Sequence, residues 1–260
     1  MTLRQQLKEA VGKEHLSYSS IKYALGDMRL WEMYMRGQLR KQSDALTFGT
    51  LYDMLLFERE KAIETYTVID ADQILASCSQ KTQDSKRPAM TAEYKSIKSD
   101  MQQEAEAIGK ELCSEDDWKQ ANEMIERLDA CGLRDTYLKG QYQVEFNEDI
   151  NGVPLKGFLD CLGDGFITDS KSARSVNKFK YDVNSWSYDI QAYIYSTVFG
   201  IDNYYWVVQE KAYPYYPALV RCTEETMLRG EMKFHEALTN IKEWLANGHK
   251  TETHYAVFDA

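Results

Sequence analysis

The chain has 260 residues, of which 43% are hydrophobic and 28% are charged, so it can bury a sizeable core. Its 31 basic and 41 acidic residues give a formal net charge of −10, which argues against a protein that coats nucleic acid through a uniformly basic surface. No stretch approaches the ~20 apolar residues that cross a bilayer, and the first residues lack the apolar middle of a secretion signal. We therefore expect a cytoplasmic protein with no membrane partner.

The cysteines and histidines show no metal-ligand spacing. The five cysteines are scattered, with no C-x-x-C pair, so the sequence supports neither a zinc ribbon nor an iron–sulfur cluster. The four histidines also lack such spacing, so packing or surface positions are expected for them. Reduced thiols are the expectation in a cytosolic setting.

The first predicted helix begins near residue 17. Hydroxyl side chains at 17–20 suit a helix N-cap, and apolar residues then recur at helical spacing from Ile21 to Trp31. The segment that follows ends in the basic residues Arg36, Arg40 and Lys41. These three can form the solvated face of an amphipathic helix or contact phosphates, and the sequence leaves both interpretations open.

Residues 1–136 are predicted to be mainly helical. After the first helix, the predicted elements are a helix at 46–58, a short strand at 67–74, an exposed loop at 77–91, a helix at 92–112 and a further helix that begins at a capping box at 114–117.

Residues 137–222 change to a pattern of strands. The predicted elements are strands at 141–146, 153–162, 166–169, 204–209 and 218–222, with a helix at 186–199 that ends at Gly200. Asn151-Gly152 predicts a hairpin between the first two strands. A helix over 224–247 lies in the C-terminal part, 223–260. We predict one α/β (α+β mixed) domain over residues 1–260, with a small mixed sheet flanked by helices.

Two aspartates and a lysine stand out on these strands. Asp169 and Lys171 are two residues apart, so they point to the same side of a strand while Ser170 points to the other. The turn at 163–165 brings Asp160 near Asp169. Two carboxylates on apolar strands repel unless a cation or proton joins them, and oxygen ligands suit Mg²⁺ or Mn²⁺. The backbone carbonyl of Ser170 could add a further oxygen.

Four other places carry an acidic residue two positions before a lysine: Asp84/Lys86, Glu93/Lys95, Asp117/Lys119 and Glu231/Lys233. One of them lies in the polar loop, and the others fall on helical patterns, where positions i and i+2 do not share a face. Strand parity therefore distinguishes the pair 169/171. The alternative interpretation, a hairpin with acidic residues beside its turn and a surface lysine, stays open on spacing alone.

Three motifs in order carry a family resemblance. They are G-F-L-Asp160, then I-T-Asp169-S-Lys171, then Gln191-x-x-x-Tyr195. Together they resemble the RecB-like branch of the PD-(D/E)XK nucleases, and the match is closest to phage and prophage exonucleases of the RecE (exodeoxyribonuclease VIII) type. The segments 17–22 and 48–51 are similar to the family's N-terminal helix start and its F-G-T-A-L-H helix.

The resemblance implies a restriction-endonuclease-like core and specific roles. Asp160 and Asp169 would be metal ligands, and Lys171 would be the catalytic lysine, which holds the attacking water and stabilises the transition state. Gln191 and Tyr195 lie four apart on one helical face, so both could reach the metal site or the DNA backbone.

Two further carboxylates are candidates for the metal site. Asp53 stands where the family commonly has a histidine, and it can be a ligand or a surface residue. Glu145 can supply a carboxylate for a second metal, or it can be a solvated strand residue.

The resemblance also implies a function: a Mg²⁺-dependent exonuclease that resects duplex DNA ends 5′ to 3′ for phage-type recombination or repair. It implies a ring-shaped homo-oligomer, a single-strand annealing protein as partner, and a bacterial cell or phage-infected host as setting. The basic residues that could line the ring's channel include Arg36, Arg40, Lys41, Arg174 and Lys178. The alternatives are an endonuclease on the same fold and a catalytically idle DNA-binding or assembly module.

Overall fold

The computed structural model describes residues 1–39 and 44–248. Over these residues the chain forms thirteen α-helices: α1 (Leu3–Val11), α2 (Tyr18–Ala24), α3 (Met28–Met35), α4 (Asp44–Phe57), α5 (Arg59–Thr65), α6 (Ala71–Ala76), α7 (Gln80–Gln83), α8 (Ala92–Ala107), α9 (Glu115–Ala130), α10 (Leu133–Tyr137), α11 (Phe179–Ser185), α12 (Tyr188–Phe199) and α13 (Glu224–Ala246). None of these helices is both long and apolar enough to cross a membrane.

Seven strands form two sheets over the same residues: β1 (Tyr66–Ile69), β2 (Glu111–Ser114), β3 (Gln141–Ile150), β4 (Val153–Leu162), β5 (Ile167–Ala173), β6 (Tyr204–Glu210) and β7 (Pro217–Arg221). β1 and β2 pair in parallel, and the other five lie in the order β3-β4-β5-β6-β7. Only the pair β5–β6 of this larger sheet is parallel, and its crossover runs through α11 and α12. This confirms the predicted mixed α/β class.

Strand β6 is buried on both faces of the larger sheet, because its alternate residues enter different apolar clusters. Tyr204, Trp206 and Val208 belong to the cluster that contains α12 and α13. Val207 belongs to the cluster that contains α4 and α9. A strand buried on both sides is expected to be continuously apolar, as β6 is over its first five residues, 204–208. As a result, helices cover β5 and β6 from both sides.

The hairpin between β3 and β4 forms where the sequence predicts it. Asn151 and Gly152 both have positive φ, 53° and 83°, which is the backbone of the turn that Asn-Gly favours. The N–H of Gly152 donates a 2.6 Å hydrogen bond to the Asp149 carboxylate. This turn fixes the register of β4 and therefore the position of Asp160.

The first half differs from the predicted pattern in several elements. The helix expected at 17–31 is two helices, because the chain breaks at 25–27 and Asp27 caps α3 by accepting a hydrogen bond of 2.8 Å from Arg29 N. α1 and β2 were not predicted, and β2 replaces the end of the helix expected at 92–112. β1 stops at Ile69, where Asp70 caps α6. The loop at 77–91 contains α7.

The strand that carries the candidate site is longer than the alternating pattern predicts. β5 runs to Ala173 rather than ending at residue 169, because it pairs with β6 over its whole length, from Ile167–Tyr204 to Ala173–Glu210. Lys171 is therefore a strand residue inside the sheet.

Candidate active site

Strands β4 and β5 separate after a short paired stretch. They pair only at 161–162 with 167–168, beside the turn that joins them. Asp160 is the first residue of β4 beyond that stretch, and its Oδ2 accepts a 2.9 Å hydrogen bond from the backbone N–H of Ser170. The carboxylate thus satisfies a strand N–H at the place where β4 no longer pairs with β5. Asp160 lies at the fork between the strands.

Asp169 and Lys171 lie on one side of β5, as strand parity predicts. The Lys171 ammonium forms an ion pair with Oδ2 of Asp169, whose side chain is fully buried, and Lys171 is 19% exposed. The Lys171 Nζ also lies 5.1 Å from the centre of the Tyr188 ring, a cation–π distance. The lysine is therefore fixed by a buried carboxylate and an aromatic ring.

Gln191 and Tyr195 share the face of α12 that covers this part of β5. The Nε2 of Gln191 donates a 2.7 Å hydrogen bond to the other oxygen of Asp169, Oδ1. Tyr195 is buried and makes an edge contact with Phe146 at 5.3 Å between ring centres. Burial raises the pKa of the Tyr195 hydroxyl, and the negative charge of Asp169 raises it further. Gln191 thus contacts β5 directly, while Tyr195 packs behind it.

Asp53 approaches the same carboxylates from α4. Its pKa is raised well above the ordinary value, first by burial and then by the negative charge of Asp160, with a smaller effect of Asp169 in the same direction. The positive charge of Lys171 opposes the rise. The structure therefore brings Asp53 within electrostatic reach of the fork.

The charges of the cluster perturb one another. Burial raises the pKa of Asp169 to about 7, an effect that Lys171 opposes and Asp160 reinforces. Burial alone would lower the pKa of Lys171, but the charges of Asp169 and Asp160 outweigh it and raise that pKa above its ordinary value. Lys171 is therefore a cation throughout the physiological pH range.

The ligand chemistry of the cluster suits a hard divalent cation. Asp53, Asp160 and Asp169 place three carboxylates beside one lysine, Lys171, which leaves an excess of negative charge. The pKa of Asp53 and that of Asp169 are raised first by burial, and repulsion from Asp160 adds to the rise. A divalent cation with oxygen ligands would neutralise that excess. Within the described part of the chain, no group of three or more aspartate, glutamate, histidine or cysteine side chains is already arranged to hold a metal ion. Metal binding by Asp169 would require its Oδ2 to turn away from Lys171.

Glu145 lies apart from this cluster. It is an exposed residue of β3 and pairs with Lys156 across the hairpin at 2.8 Å. This is the arrangement of a solvated strand residue, and no contact places its carboxylate at the fork.

The basic residues expected to contact DNA occupy different settings. Arg36 bonds to Glu32 at 2.9 Å and to the carbonyl oxygen of Ala10 at 2.8 Å, so it joins α3 to α1. Arg174 and Lys178 are exposed just beyond the end of β5. Arg40 and Lys41 lie outside the described residues.

The sequence interpretation missed the residues that hold α12 in place. Asp189, in the first turn of α12, is fully buried and accepts hydrogen bonds from Arg229 Nε at 2.6 Å and from Lys233 Nζ at 2.9 Å. Both partners belong to α13. Tyr188, beside Lys171, was missed as well, although its position three residues before Gln191 is the spacing that shares a helical face.

A cavity of about 590 Å³ lies elsewhere in the molecule. It opens between α4, α8 and the two-stranded sheet, and its walls include Phe48, Tyr66, Tyr94 and Cys113. None of the residues of the carboxylate cluster lines it. The fork between β4 and β5, rather than this cavity, concentrates the reactive groups.

We expect Asp53→Asn to stabilise the metal-free protein at neutral and higher pH. A carboxyl group whose pKa is raised by folding binds its proton more tightly in the folded chain than in the unfolded one. The free energy of unfolding therefore falls as the pH rises above the unfolded pKa of about 4. Asp53→Asn lacks this loss, so the difference in free energy of unfolding between the variant and wild type should grow as the pH rises above about 5. Urea titrations with chelator measure this difference.

Two comparisons make this measurement decisive. Added Mg²⁺ should reduce the difference in free energy of unfolding between Asp53→Asn and wild type, because the cation would stabilise the wild-type carboxylates. Asp164→Asn, at an exposed turn position, should stay within ~0.5 kcal/mol of wild type. An Asp53→Asn variant less stable than wild type at every pH would contradict the electrostatic position of Asp53.

Comparisons with known proteins indicate the family and the fold of the chain. A family model described as a PDDEXK-like domain of unknown function (DUF3799) matches residues 27–254. The crystal structure of a "putative exonuclease" from Eubacterium rectale superposes on the chain with a TM-score of 0.62, over 96% of this chain and 86% of that chain, at 18% identity. At that identity the similarity establishes a shared fold. No curated protein matches the chain by sequence.

Proposed function

The chain belongs to the family of PDDEXK-like domains, within the PD-(D/E)XK nuclease superfamily, and on that premise we propose that it is a deoxyribonuclease that uses a divalent cation, Mg²⁺ or Mn²⁺. The observation that carries the proposal is the cluster of Asp160, Asp169 and Lys171 at the strand fork, with Asp53 beside it. A family model alone gives a fold, whereas this cluster supplies groups for phosphodiester hydrolysis.

Asp160 and Asp169 would hold the cation, with Asp53 as a third carboxylate. When bound, a divalent cation supplies charge neutralisation at the phosphate and lowers the pKa of an attacking water. The backbone carbonyl of Ser170 remains a proposed further ligand of the cation. The backbone N–H of Ser170 already orients Asp160. We place Glu145 outside this set, because it pairs with Lys156.

Lys171 would stabilise the charge that develops on the phosphate. Its pKa is raised by Asp169 and Asp160, so it keeps its protons and is unsuited to act as a general base. A fixed ammonium in a mostly buried site orients the attacking water and stabilises negative charge in the transition state. The Tyr188 ring limits where the ammonium can move.

Gln191 would act first through Asp169, with Tyr195 packed behind it. Gln191 holds one carboxylate oxygen at 2.7 Å, and Tyr195 is buried behind it. When a cation takes up the other oxygen, Gln191 would keep the carboxylate in the correct orientation. The resemblance also allows Gln191 to reach the DNA backbone, and this remains part of the proposal.

We further propose that the enzyme is an exonuclease of the RecE type. It would resect duplex ends 5′ to 3′ for recombination or repair in a bacterial or phage-infected cell, with a single-strand annealing protein as partner. The support is the resemblance of the three motifs, and the similar fold of the Eubacterium rectale protein agrees with it. A ring-shaped homo-oligomer would let a chain of net charge −10 concentrate basic residues such as Arg174 and Lys178 in one channel.

A panel of DNA substrates tests the proposed function. Linear duplex, closed circular duplex and single strands are incubated with Mg²⁺, with Mn²⁺ or with chelator, and the linear duplex carries a label at its 5′ or 3′ end. We expect metal-dependent loss of the linear duplex, with early release of the 5′ label. The closed circle should remain intact, because it offers no end.

Each alternative gives a different result. Cutting of the closed circle would favour an endonuclease on the same fold. No metal-dependent loss of any substrate would favour an idle DNA-binding or assembly module. A solution mass equal to one chain would remove the ring from the proposal without affecting the nuclease activity.

A further inference from the structure

Lys22 lies beside the start of α12, and within residues 1–39 and 44–248 no carboxylate pairs with it. It belongs to α2, and its Nζ is 5.6 Å from the ring centre of Tyr18, 5.8 Å from that of Tyr23 and 5.9 Å from that of Trp186. In the part of the chain that the structure describes, its Nζ forms no ion pair within 4.0 Å of an aspartate or glutamate oxygen. Three aromatic rings thus surround an ammonium without a counter-charge.

The rings are themselves fixed at the edge of the site. The Tyr18 hydroxyl donates a 2.7 Å hydrogen bond to the carbonyl oxygen of Trp186, which joins α2 to the turn just before α12. The Trp186 ring is 56% exposed, so the rings form an open surface rather than a closed core. This surface adjoins the helix that bonds to Asp169.

Lys22 and Lys171 lie beside neighbouring aromatic residues at the start of α12: Lys22 Nζ is 5.9 Å from the ring centre of Trp186, and Lys171 Nζ is 5.1 Å from that of Tyr188. Burial lowers the pKa of Lys22, and the positive charge of Lys171 lowers it further. Lys171 has Asp169 as its partner, whereas the contacts of Lys22 among the described residues are with the faces of the rings. Cation–π contacts offset part of the cost of partial burial, but a half-buried lysine is ordinarily paired. An anion located near both lysines would supply the missing charge.

We propose that Lys22 binds a backbone phosphate of the DNA next to the phosphate that is cleaved beside Lys171. This inference rests on the proposed nuclease function and deepens it, since it names a second phosphate position along the strand. Successive phosphates of one strand are only a few ångströms apart, and a second fixed phosphate would align the scissile one for attack. Lys22 is a positioning residue in this arrangement.

The test removes the charge of Lys22 while keeping its bulk. Lys22→Met retains an unbranched chain that can pack among the rings. Binding of a fluorescent duplex oligonucleotide is measured by anisotropy in chelator, so that no DNA is cut, over a series of salt concentrations. We expect binding about 10-fold weaker, and a slope of log K against log salt smaller by about 1.

Two matched variants separate the phosphate contact from other causes. Lys22→Arg keeps the positive charge and should retain most of the binding. Lys61→Met removes the same charge from an exposed lysine that pairs with Glu58 at 2.9 Å, and it should bind as wild type does. Lys22→Gln gives a second neutral variant, and thermal melting of each protein checks that it is folded.

The outcomes distinguish this inference from the proposed function. If the wild type binds duplex DNA and Lys22→Met binds it with the same affinity and salt slope, Lys22 contacts no phosphate and the inference is overturned. Weaker binding with an unchanged salt slope would also overturn it, because it would indicate a packing defect. A wild type that neither binds nor cleaves DNA would overturn the proposed function itself. If inorganic phosphate protects Lys22 from acetylation to the same degree as duplex DNA does, Lys22 belongs instead to a site for free phosphate.

Discussion

Lys171→Ala is expected to lower the rate of metal-dependent DNA cleavage by about 10³-fold or more while leaving the chain folded. The lysine is the fixed cation of the cluster, ion-paired with a fully buried aspartate and located 5.1 Å from the Tyr188 ring. In the proposed reaction, its removal would delete charge stabilisation at the place where charge develops on the phosphate. Initial rates on an end-labelled linear duplex measure the effect.

The loss of cleavage activity should exceed the effect of removing one ion pair, because the pKa of Asp169 changes when Lys171 is removed. Burial already raises the pKa of Asp169 to about 7, and Lys171 opposes that rise. Without the lysine the pKa of Asp169 should rise further, so at neutral pH this residue would be mostly protonated and a poor metal ligand. Raising the pH should therefore restore metal binding by Lys171→Ala in part, but not its rate of cleavage.

Lys156→Ala provides the control for Lys171→Ala. Lys156 is an exposed residue of the neighbouring strand and pairs with Glu145 at 2.8 Å, so its loss should leave cleavage within about twofold of wild type, since exposed ion pairs are worth little. Circular dichroism should show both variants folded. Full cleavage activity in Lys171→Ala would show that the reacting groups lie elsewhere.

Local patterns were sufficient to predict the elements that carry the site. The Asn151-Gly152 turn, the parity of Asp169 and Lys171 on β5, and the end of α12 at Gly200 each depend on neighbours along the chain. Gly200 has a φ of 65°, which glycine adopts at little cost. Features of this kind are encoded within a few residues, so the sequence alone predicts them.

Contacts between distant segments could not be predicted in the same way. The pattern at 153–169 does not indicate that β4 and β5 separate after two residue pairs, nor that the Ser170 N–H turns to Asp160. Asp53 lies on a helix from the other half of the chain, and its position beside Asp160 results from the packing of α4 on β5. Such positions depend on tertiary packing rather than on local propensity.

The packing of α12 against α13 is a further tertiary feature, and disrupting it is expected to have a large effect on stability and cleavage. Gly230, on α13, lies directly against the first turn of α12. A Cβ atom at this position would be 2.1 Å from the carbonyl oxygen of Asp189 and 2.6 Å from its carbonyl carbon. These are backbone atoms, so the clash can be relieved only by moving one helix away from the other.

Gly230→Ala is therefore expected to destabilise the fold by on the order of 3 kcal/mol and to lower cleavage about 100-fold. Separation of the helices would weaken the hydrogen bonds from Arg229 and Lys233 to Asp189. It would also shift Gln191, whose amide bonds to Asp169 at 2.7 Å. Urea denaturation measures the first effect, and initial rates below the unfolding transition measure the second.

A second helical glycine provides the matched control, because its replacement by alanine should raise the free energy of unfolding instead of lowering it. A Cβ at Gly49, within α4, would meet only the Ser172 hydroxyl oxygen at 3.9 Å, an ordinary contact. Gly49→Ala should therefore raise the free energy of unfolding by about 0.5–1 kcal/mol, since alanine favours a helix over glycine. If Gly230→Ala and Gly49→Ala change stability alike, the close contact of α12 and α13 does not control the fold. If Gly230→Ala loses stability but cleaves at the wild-type rate, the position of Gln191 is not what cleavage requires.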